Sequence, residues 1–188
     1  MINEDILNVR AAELSERVSE LKVVGNIPYN ITTPILFHLL VPPRPQQILL
    51  MVQKEVGERI LASPGTSAFG ALTVGVQSVA SVERVLKVPS TAFRPVPAVE
   101  SVVIRVTPTR PEPLAPGEEK ALRSLTRAAF QQRRKQFQSI LRKHPEWGFS
   151  HDQIGALENL TGFDLSKRPE TFSPKNFVKL SEALKTHS

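Results

Sequence analysis

The sequence predicts an α/β fold followed by a separate helical part, and three observations carry that prediction. Short apolar runs at 22–25 and 47–52 alternate with helical periodicity at 32–40 and 54–62, the order found in a doubly wound sheet. Pro108, Pro111, Pro113 and Pro116 crowd the stretch 107–117 and stiffen it into a linker. Beyond that stretch the apolar residues return at steps of three and four, which is the mark of helices. The expected division is an α/β domain over 1–107, a Pro-rich linker over 108–117 and a small all-helical domain over 118–188.

In chain order, a short helix over 11–20 comes first, followed by the buried strand Lys22-Val23-Val24-Gly25. A helix over 32–40 ends at Pro42-Pro43, which cannot continue it. The second apolar strand, 47–52, leads into a helix over 54–62, and Ser63-Pro64-Gly65-Thr66-Ser67 forms a loop. The stretch 70–80 reads as helix despite its valines, which are stiff at χ1. Runs at 82–88 and 99–106 alternate in part and suit a closing hairpin at one edge of the sheet. Helices are then expected over 118–131, 135–143, 151–159 and 174–184, with Ser173 as N-cap and Pro174 at the first helical position of the last.

Composition narrows the function classes. A chain of 188 residues, 40% hydrophobic with one Trp and one Tyr, has room for a partial domain plus a small one. No segment approaches the roughly 20 apolar residues needed to span a membrane, and acids stand where a secretory signal would carry bases. The expectation is a soluble product, with a cytoplasmic home compatible. Without cysteine there is neither disulfide nor thiolate ligand, and His38, His144, His151 and His187 have no ligand spacing, so no metal is implied.

The most specific chemistry lies at Asn26-Ile27-Pro28-Tyr29, directly after the first strand. The amide oxygen of Asn26 and the carbonyl of Ile27 or Pro28 can each accept from an exocyclic amino group, while Tyr29 stacks on the ring that bears it. An adenine amine is a poor nucleophile because its lone pair is delocalised into the ring. Two acceptors that hold its protons out of plane relocalise that pair. A strand end followed by a Pro turn explains the same four residues without any chemistry.

Five ordered stretches add to the tetrapeptide. They are Asn26-Ile-Pro-Tyr-Asn-Ile-Thr-Thr-Pro-Ile-Leu-Phe-His38, Met51-Val-Gln-Lys-Glu-Val-Gly-Glu-Arg59, Phe69-Gly-Ala-Leu-Thr-Val-Gly-Val-Gln77, Ala92-Phe-Arg-Pro-Val-Pro-Ala-Val-Glu-Ser-Val-Val102 and Ala129-Phe-Gln-Gln-Arg-Arg-Lys135. Together they resemble the S-adenosylmethionine-dependent ribosomal RNA adenine dimethyltransferases, in the branch that dimethylates two adjacent adenines near the 3' end of small-subunit rRNA. The resemblance implies the C-terminal half of a Rossmann-like methyltransferase sheet followed by a helical RNA-binding domain. It implies S-adenosylmethionine as cofactor, and small-subunit rRNA and the immature small ribosomal subunit as partners. The tetrapeptide matches the motif that holds the target amine, and Phe93 matches an aromatic that lies over the flipped base, opposite Tyr29. Pro95 and Pro97 stiffen the loop presenting Phe93, which would serve equally as plain core. Arg94 suits the phosphate beside that base or simple solvation.

That family opens with a strand and a Gly-rich turn, and the nine glycines here never come as Gly-x-Gly. The chain is therefore expected to begin midway through the domain. Asp5 matches the family's carboxylate for the cofactor's adenine amine, with the Ile6 backbone meeting a ring nitrogen and Asn26 completing the cofactor contacts. Asn3, Glu4 and Asp5 are also ordinary cap and turn formers.

Charge favours a polyanionic partner. Lys and Arg exceed Asp and Glu by 10 to 9 over 1–107 and by 14 to 9 over 108–188, which together give the net +6. No acid lies between Glu119 and Glu146, whereas Arg123, Arg127, Arg133, Arg134, Lys135, Arg142 and Lys143 are basic. Leu122, Leu125, Ala129, Phe130, Phe137, Ile140 and Leu141 recur at helical steps, which leaves the basic side chains on the opposite faces. RNA contact is assigned to Arg127, Gln131, Arg133, Arg134 and Lys135, together with Arg94; a solvated helix surface is the bland alternative. Glu55 and Arg59 have the spacing of a helical ion pair, and Gln53 and Lys54 are further rim or RNA candidates at a strand end.

The leading expectation is an rRNA adenine N6,N6-dimethyltransferase. A non-catalytic rRNA-binding or ribosome-assembly module competes with it, favoured by the missing Gly turn. A 23S rRNA methyltransferase of the antibiotic-resistance type shares the central motif and the Phe loop, and the matches at 131–135 and 165–170 speak against it.

Overall fold

The computed structural model describes residues 2–109, 114 and 116–185, which form two compact units. The first comprises Met1–Leu61 with Val79–Pro113, the second Ala62–Ser78 with Leu114–Ser188. The expected linker falls in part on residues 110–113 and 115, outside the described ones, while Pro108 ends a strand.

The first unit is a four-stranded mixed sheet in the order β1-β2-β4-β3, built from β1 (Lys22–Asn26), β2 (Gln47–Gln53), β3 (Ala80–Val88) and β4 (Ser101–Pro108). β1 and β2 run parallel, and the remaining pairs are antiparallel. β2 and β4 share a register that sets Ile48, Leu50 and Val52 opposite Val106, Ile104 and Val102, and all six are buried. That period-two stripe is the core of the unit. The 82–88 and 99–106 runs do form a hairpin, but its second strand lies inside the sheet and only β3 is at the edge. Alternation decides the difference: β4 buries Val102, Ile104 and Val106, whereas most of β3 is exposed.

Four α-helices accompany the first half of the chain: α1 (Ala11–Leu14), α2 (Thr32–Leu39), α3 (Lys54–Leu61) and α4 (Ala71–Gln77), of which α4 belongs to the second unit. The helix expected over 11–20 is only four residues long. Ser15 Oγ accepts from Arg17 N at 3.0 Å, a local bond that draws the backbone out of the helix before a 3-10 turn over Val18–Glu20. Gly57 of α3 faces β4 where a Cβ would run into Val102, so glycine permits this close approach of helix and strand.

The second unit is helical: α4, α5 (Pro116–Gln131), α6 (Phe137–Lys143), α7 (His151–Thr161) and α8 (Pro174–Lys185). Phe69, Phe130, Phe137, Phe172 and Phe177 form a connected aromatic cluster with centroid spacings of 5.2–5.9 Å. Phe69 explains why Ala62–Ser78, assigned by sequence to the α/β part, packs with the helices. α7 starts with a capping box between Ser150 and Gln153 and stops at Gly162, whose φ is 73°. Ser173 caps α8 as expected, accepting from Asn176 N at 3.2 Å while Asn176 Oδ1 accepts from Ser173 N at 2.9 Å. α6 starts two residues later than expected. Its leading N–H groups, those of Phe137 and Gln138, donate to the carbonyls of Lys167 and Leu165, so the 165–170 segment caps this helix.

Candidate active site

Strand direction assembles the site within the first unit. β1 and β2 are parallel, so Asn26 and Gln53 lie toward the same end, and β4 starts there at Ser101, opposite both Gln53 and Val88. The tetrapeptide after β1, the Gln53-Lys54 corner after β2 and the Phe93 loop between β3 and β4 therefore all emerge at one rim, the position where open α/β sheets carry their ligands.

At that rim Asn26 is exposed, and its amide makes no hydrogen bond among the described residues. Ile27 folds back over Gly25: a Cβ added there would lie 3.2 Å from Ile27 Cγ2 and 3.3 Å from Leu50 Cδ2. Pro28 turns the chain into a 3-10 turn, Tyr29–Ile31, that leads into α2. Tyr29 is half-buried, and its hydroxyl lies 2.6 Å from Oγ of Ser101, which is 1% exposed. An exposed amide free to accept thus stands three residues before an aromatic ring tethered to the sheet.

Phe93 follows a short 3-10 turn, Ser90–Ala92, and is half-buried, while Arg94 is exposed with no acceptor among the described residues. Lys54 closes the rim from the other side: its Nζ donates to Glu100 Oε2 at 2.7 Å and its N–H to Glu100 O at 2.9 Å. The Glu100 carboxylate raises the Lys54 pKa, and Lys54 lowers that of Glu100, in each case first through the shared hydrogen bond. These residues, with Gln53, Glu55, Glu58 and Val99, line a cleft of about 270 Å³. In this cleft the Lys54 ammonium is already engaged by Glu100. The expected Glu55–Arg59 pair is present.

Asp5 is the N-cap of a 3-10 turn, Ile6–Asn8, with Oδ1 accepting from Leu7 N at 3.0 Å. One carboxylate oxygen is thus used locally, as the cap reading expects, and Oδ2 remains able to accept an adenine amine. The turn packs against α2, where His38 Nε2 donates to Val9 O at 2.8 Å. Among the described residues no group of three or more His, Cys, Asp or Glu side chains could hold a metal, and no helix is long and apolar enough to cross a membrane.

In the second unit Arg127, Gln131, Arg134 and Lys135 are exposed, as a nucleic-acid surface requires. Arg133 is half-buried and engaged by the protein itself. Its Nε donates to Glu170 Oε2 at 2.5 Å, and its two other nitrogens donate to Ser67 O at 2.8 Å and Thr66 O at 3.0 Å. The guanidinium is spent on fastening 62–78 to the helices, because three acceptors converge on its fork. Ser101, Glu100 and Glu170 were not singled out from sequence, although the first two stand inside the motif ending at Val102 and the third inside the 165–170 match.

The family model for ribosomal RNA adenine dimethylase matches residues 1–166. The chain belongs to this family. Ribosomal RNA small subunit methyltransferase A of Levilactobacillus brevis is 42% identical over 97% of this chain, and the same-named protein of Thermosynechococcus vestitus is 40% identical over 98%. The chain spans 64% of the former's length and 69% of the latter's. Among solved structures, a dimethyladenosine transferase from Plasmodium falciparum superposes with a TM-score of 0.70 at 26% identity, over 85% of this chain and 64% of that one. The 23S rRNA methyltransferase ErmE superposes with a TM-score of 0.69 at 24% identity, over 98% of this chain and 71% of that one, which is a likeness of fold. For a member of the adenine dimethylase family, the mixed α/β sheet with helices is the expected architecture, and the exposed Asn26 amide lies within the matched residues.

Proposed function

We propose that this protein is an S-adenosylmethionine-dependent rRNA (adenine-N6,N6)-dimethyltransferase acting on two adjacent adenines near the 3' end of small-subunit rRNA. The observation that carries the reading is the pairing of an unengaged Asn26 amide with a Tyr29 ring anchored 2.6 Å from a buried hydroxyl. Asn26 Oδ1 and the Ile27 or Pro28 carbonyl accept the two protons of the amine, which pyramidalises the nitrogen. Tyr29 and Phe93 clamp the unstacked base. S-adenosylmethionine, when bound, supplies an electrophilic methyl group on sulfonium; Asp5 Oδ2, the Ile6 backbone and Asn26 hold it. The proton leaves to water after each of two transfers, so no general base is required. Arg127, Gln131, Arg134 and Lys135, with Arg94, meet RNA phosphates, and the substrate is the immature small subunit in the cytoplasm.

A second reading is an rRNA-binding module that does not hold the cofactor, favoured by the use of Asp5 Oδ1 as a local cap. Calorimetric titration of S-adenosylmethionine, with a 3'-end small-subunit rRNA hairpin in a parallel cell, separates the two. Micromolar cofactor binding supports the enzyme. Salt-sensitive hairpin binding without cofactor binding supports the module.

A further inference from the structure

We infer that Ser101 is a positioning residue for the adenine pocket: it fixes the place of the Tyr29 hydroxyl and the direction of the ring axis, and with them the stacking platform, from two strands away. The inference rests on the adenine-pocket reading above. Tyr29 lies in a short 3-10 turn after a five-residue edge strand and is only half-buried there. Ser101 has the opposite character. It is 1% exposed, and its register position lies between β2 and β3, opposite Gln53 on one side and Val88 on the other. Oγ is therefore a point fixed by the sheet, and the 2.6 Å bond transfers that fixity to a residue 72 positions earlier. A phenol held at its hydroxyl uses neither ring face for that bond. A base can stack on it without the ring having to be ordered first, which lowers the entropic cost of binding. The same register sets Glu100, the partner of Lys54, immediately before Ser101, so the start of β4 braces both sides of the rim.

Tyr29 is the only tyrosine in the chain, so 13C-labelled tyrosine reports on a single ring. The whole chain is labelled and its ring signals compared in wild type, Ser101→Ala and Ser101→Thr. Wild type gives one ordered ring, Ser101→Ala moves the signals toward those of free tyrosine, and Ser101→Thr, which restores a hydroxyl, brings them back. A second arm measures anisotropy of a fluorescent 3'-end small-subunit rRNA hairpin with two adjacent adenines against the same hairpin with uridines there. Ser101→Ala and Tyr29→Phe each weaken adenine-dependent binding about three- to tenfold, and the double variant weakens it no further, because both remove the same bond.

Ring signals of Ser101→Ala identical to wild type overturn the positioning role whatever the RNA does. Multiplicative losses in the double variant overturn it as well, since the hydroxyls would then act separately. A wild-type chain that binds both hairpins equally, with Tyr29 signals unmoved by either, overturns instead the adenine-pocket reading on which the platform depends.

Discussion

Replacing Gly57 by alanine sets helix propensity directly against packing. Gly57 is the fourth residue of α3, and in a helix interior alanine is worth roughly 0.5–1 kcal/mol over glycine. Against this, the new Cβ would come closer than 3.0 Å to Cγ2 of Val102, with Val52 Cγ2 a further neighbour at 3.5 Å. Val102 is 2% exposed and Val52 is fully buried, so neither can move into solvent. Relief requires either an off-rotamer Val102 or a retreat of α3 from β4, and such overpacking costs about 1–3 kcal/mol. The expected net is a loss of about 1–2 kcal/mol in urea unfolding followed by circular dichroism. Val102 also adjoins Ser101, so amide exchange should quicken at the start of β4. Shortening the obstacle reverses the sign: in a Val102→Ala background, Gly57→Ala should stabilise by about 0.5–1 kcal/mol, as propensity alone dictates. A Gly57→Ala protein as stable as wild type or more so, with no sign change between backgrounds, refutes the packing argument.

Other perturbations separate structure from function at the candidate sites. Arg133→Ala should cost about 1–2 kcal/mol of stability, because it strips a partly shielded Glu170 of its partner and the Ser67 carbonyl of its donor, while Thr66 O keeps the Phe69 N–H. Arg134→Ala should leave stability within about 0.5 kcal/mol and instead lower the slope of log binding constant against log salt by about 0.7–0.9; equal effects of the two substitutions on that slope would contradict the assignment. Asn26→Ala should leave the denaturation midpoint unchanged, since its amide bonds to nothing among the described residues, while methyl transfer measured with labelled cofactor falls about 10²-fold or more. The Lys54–Glu100 bridge depends on pH from both sides. Glu100 is lowered, so its contribution is present above about 4.5 and lost as pH falls through its folded value; Lys54 is raised, so its contribution is present below about 10.5 and lost as pH rises through its folded value. A titration of Lys54 Nζ by 15N NMR should show Glu100→Gln shifting its midpoint downward.

The positions of nearly all the elements are legible in the sequence, because the hydrophobic period and the Pro, Gly and Ser punctuation that create them are local. β2, α2, α3, α7 and α8 stand within about two residues of their expected bounds. The 11–20 helix failed for an equally local reason, the Ser15 turn, which propensity alone does not weigh. Asn26 to Tyr29 stood out as a candidate site because amide, proline and ring stand in four consecutive residues.

What the sequence determined by itself is therefore the set of elements, the family and the candidate motif at Asn26 to Tyr29. What only the tertiary structure decided is which distant side chains meet: Tyr29 with Ser101 across 72 positions, Arg133 with Glu170 across 37, and Ala62–Ser78 with the helical unit. The reason is physical. A period of two or 3.6 states which face of an element is apolar, but it carries no address for the partner, which is chosen by strand order, register and the convergence of acceptors once the chain has closed. For that reason an arginine that belongs by pattern to a basic stripe can be engaged by three acceptors of its own unit, while a buried serine with no pattern at all anchors the Tyr29 ring.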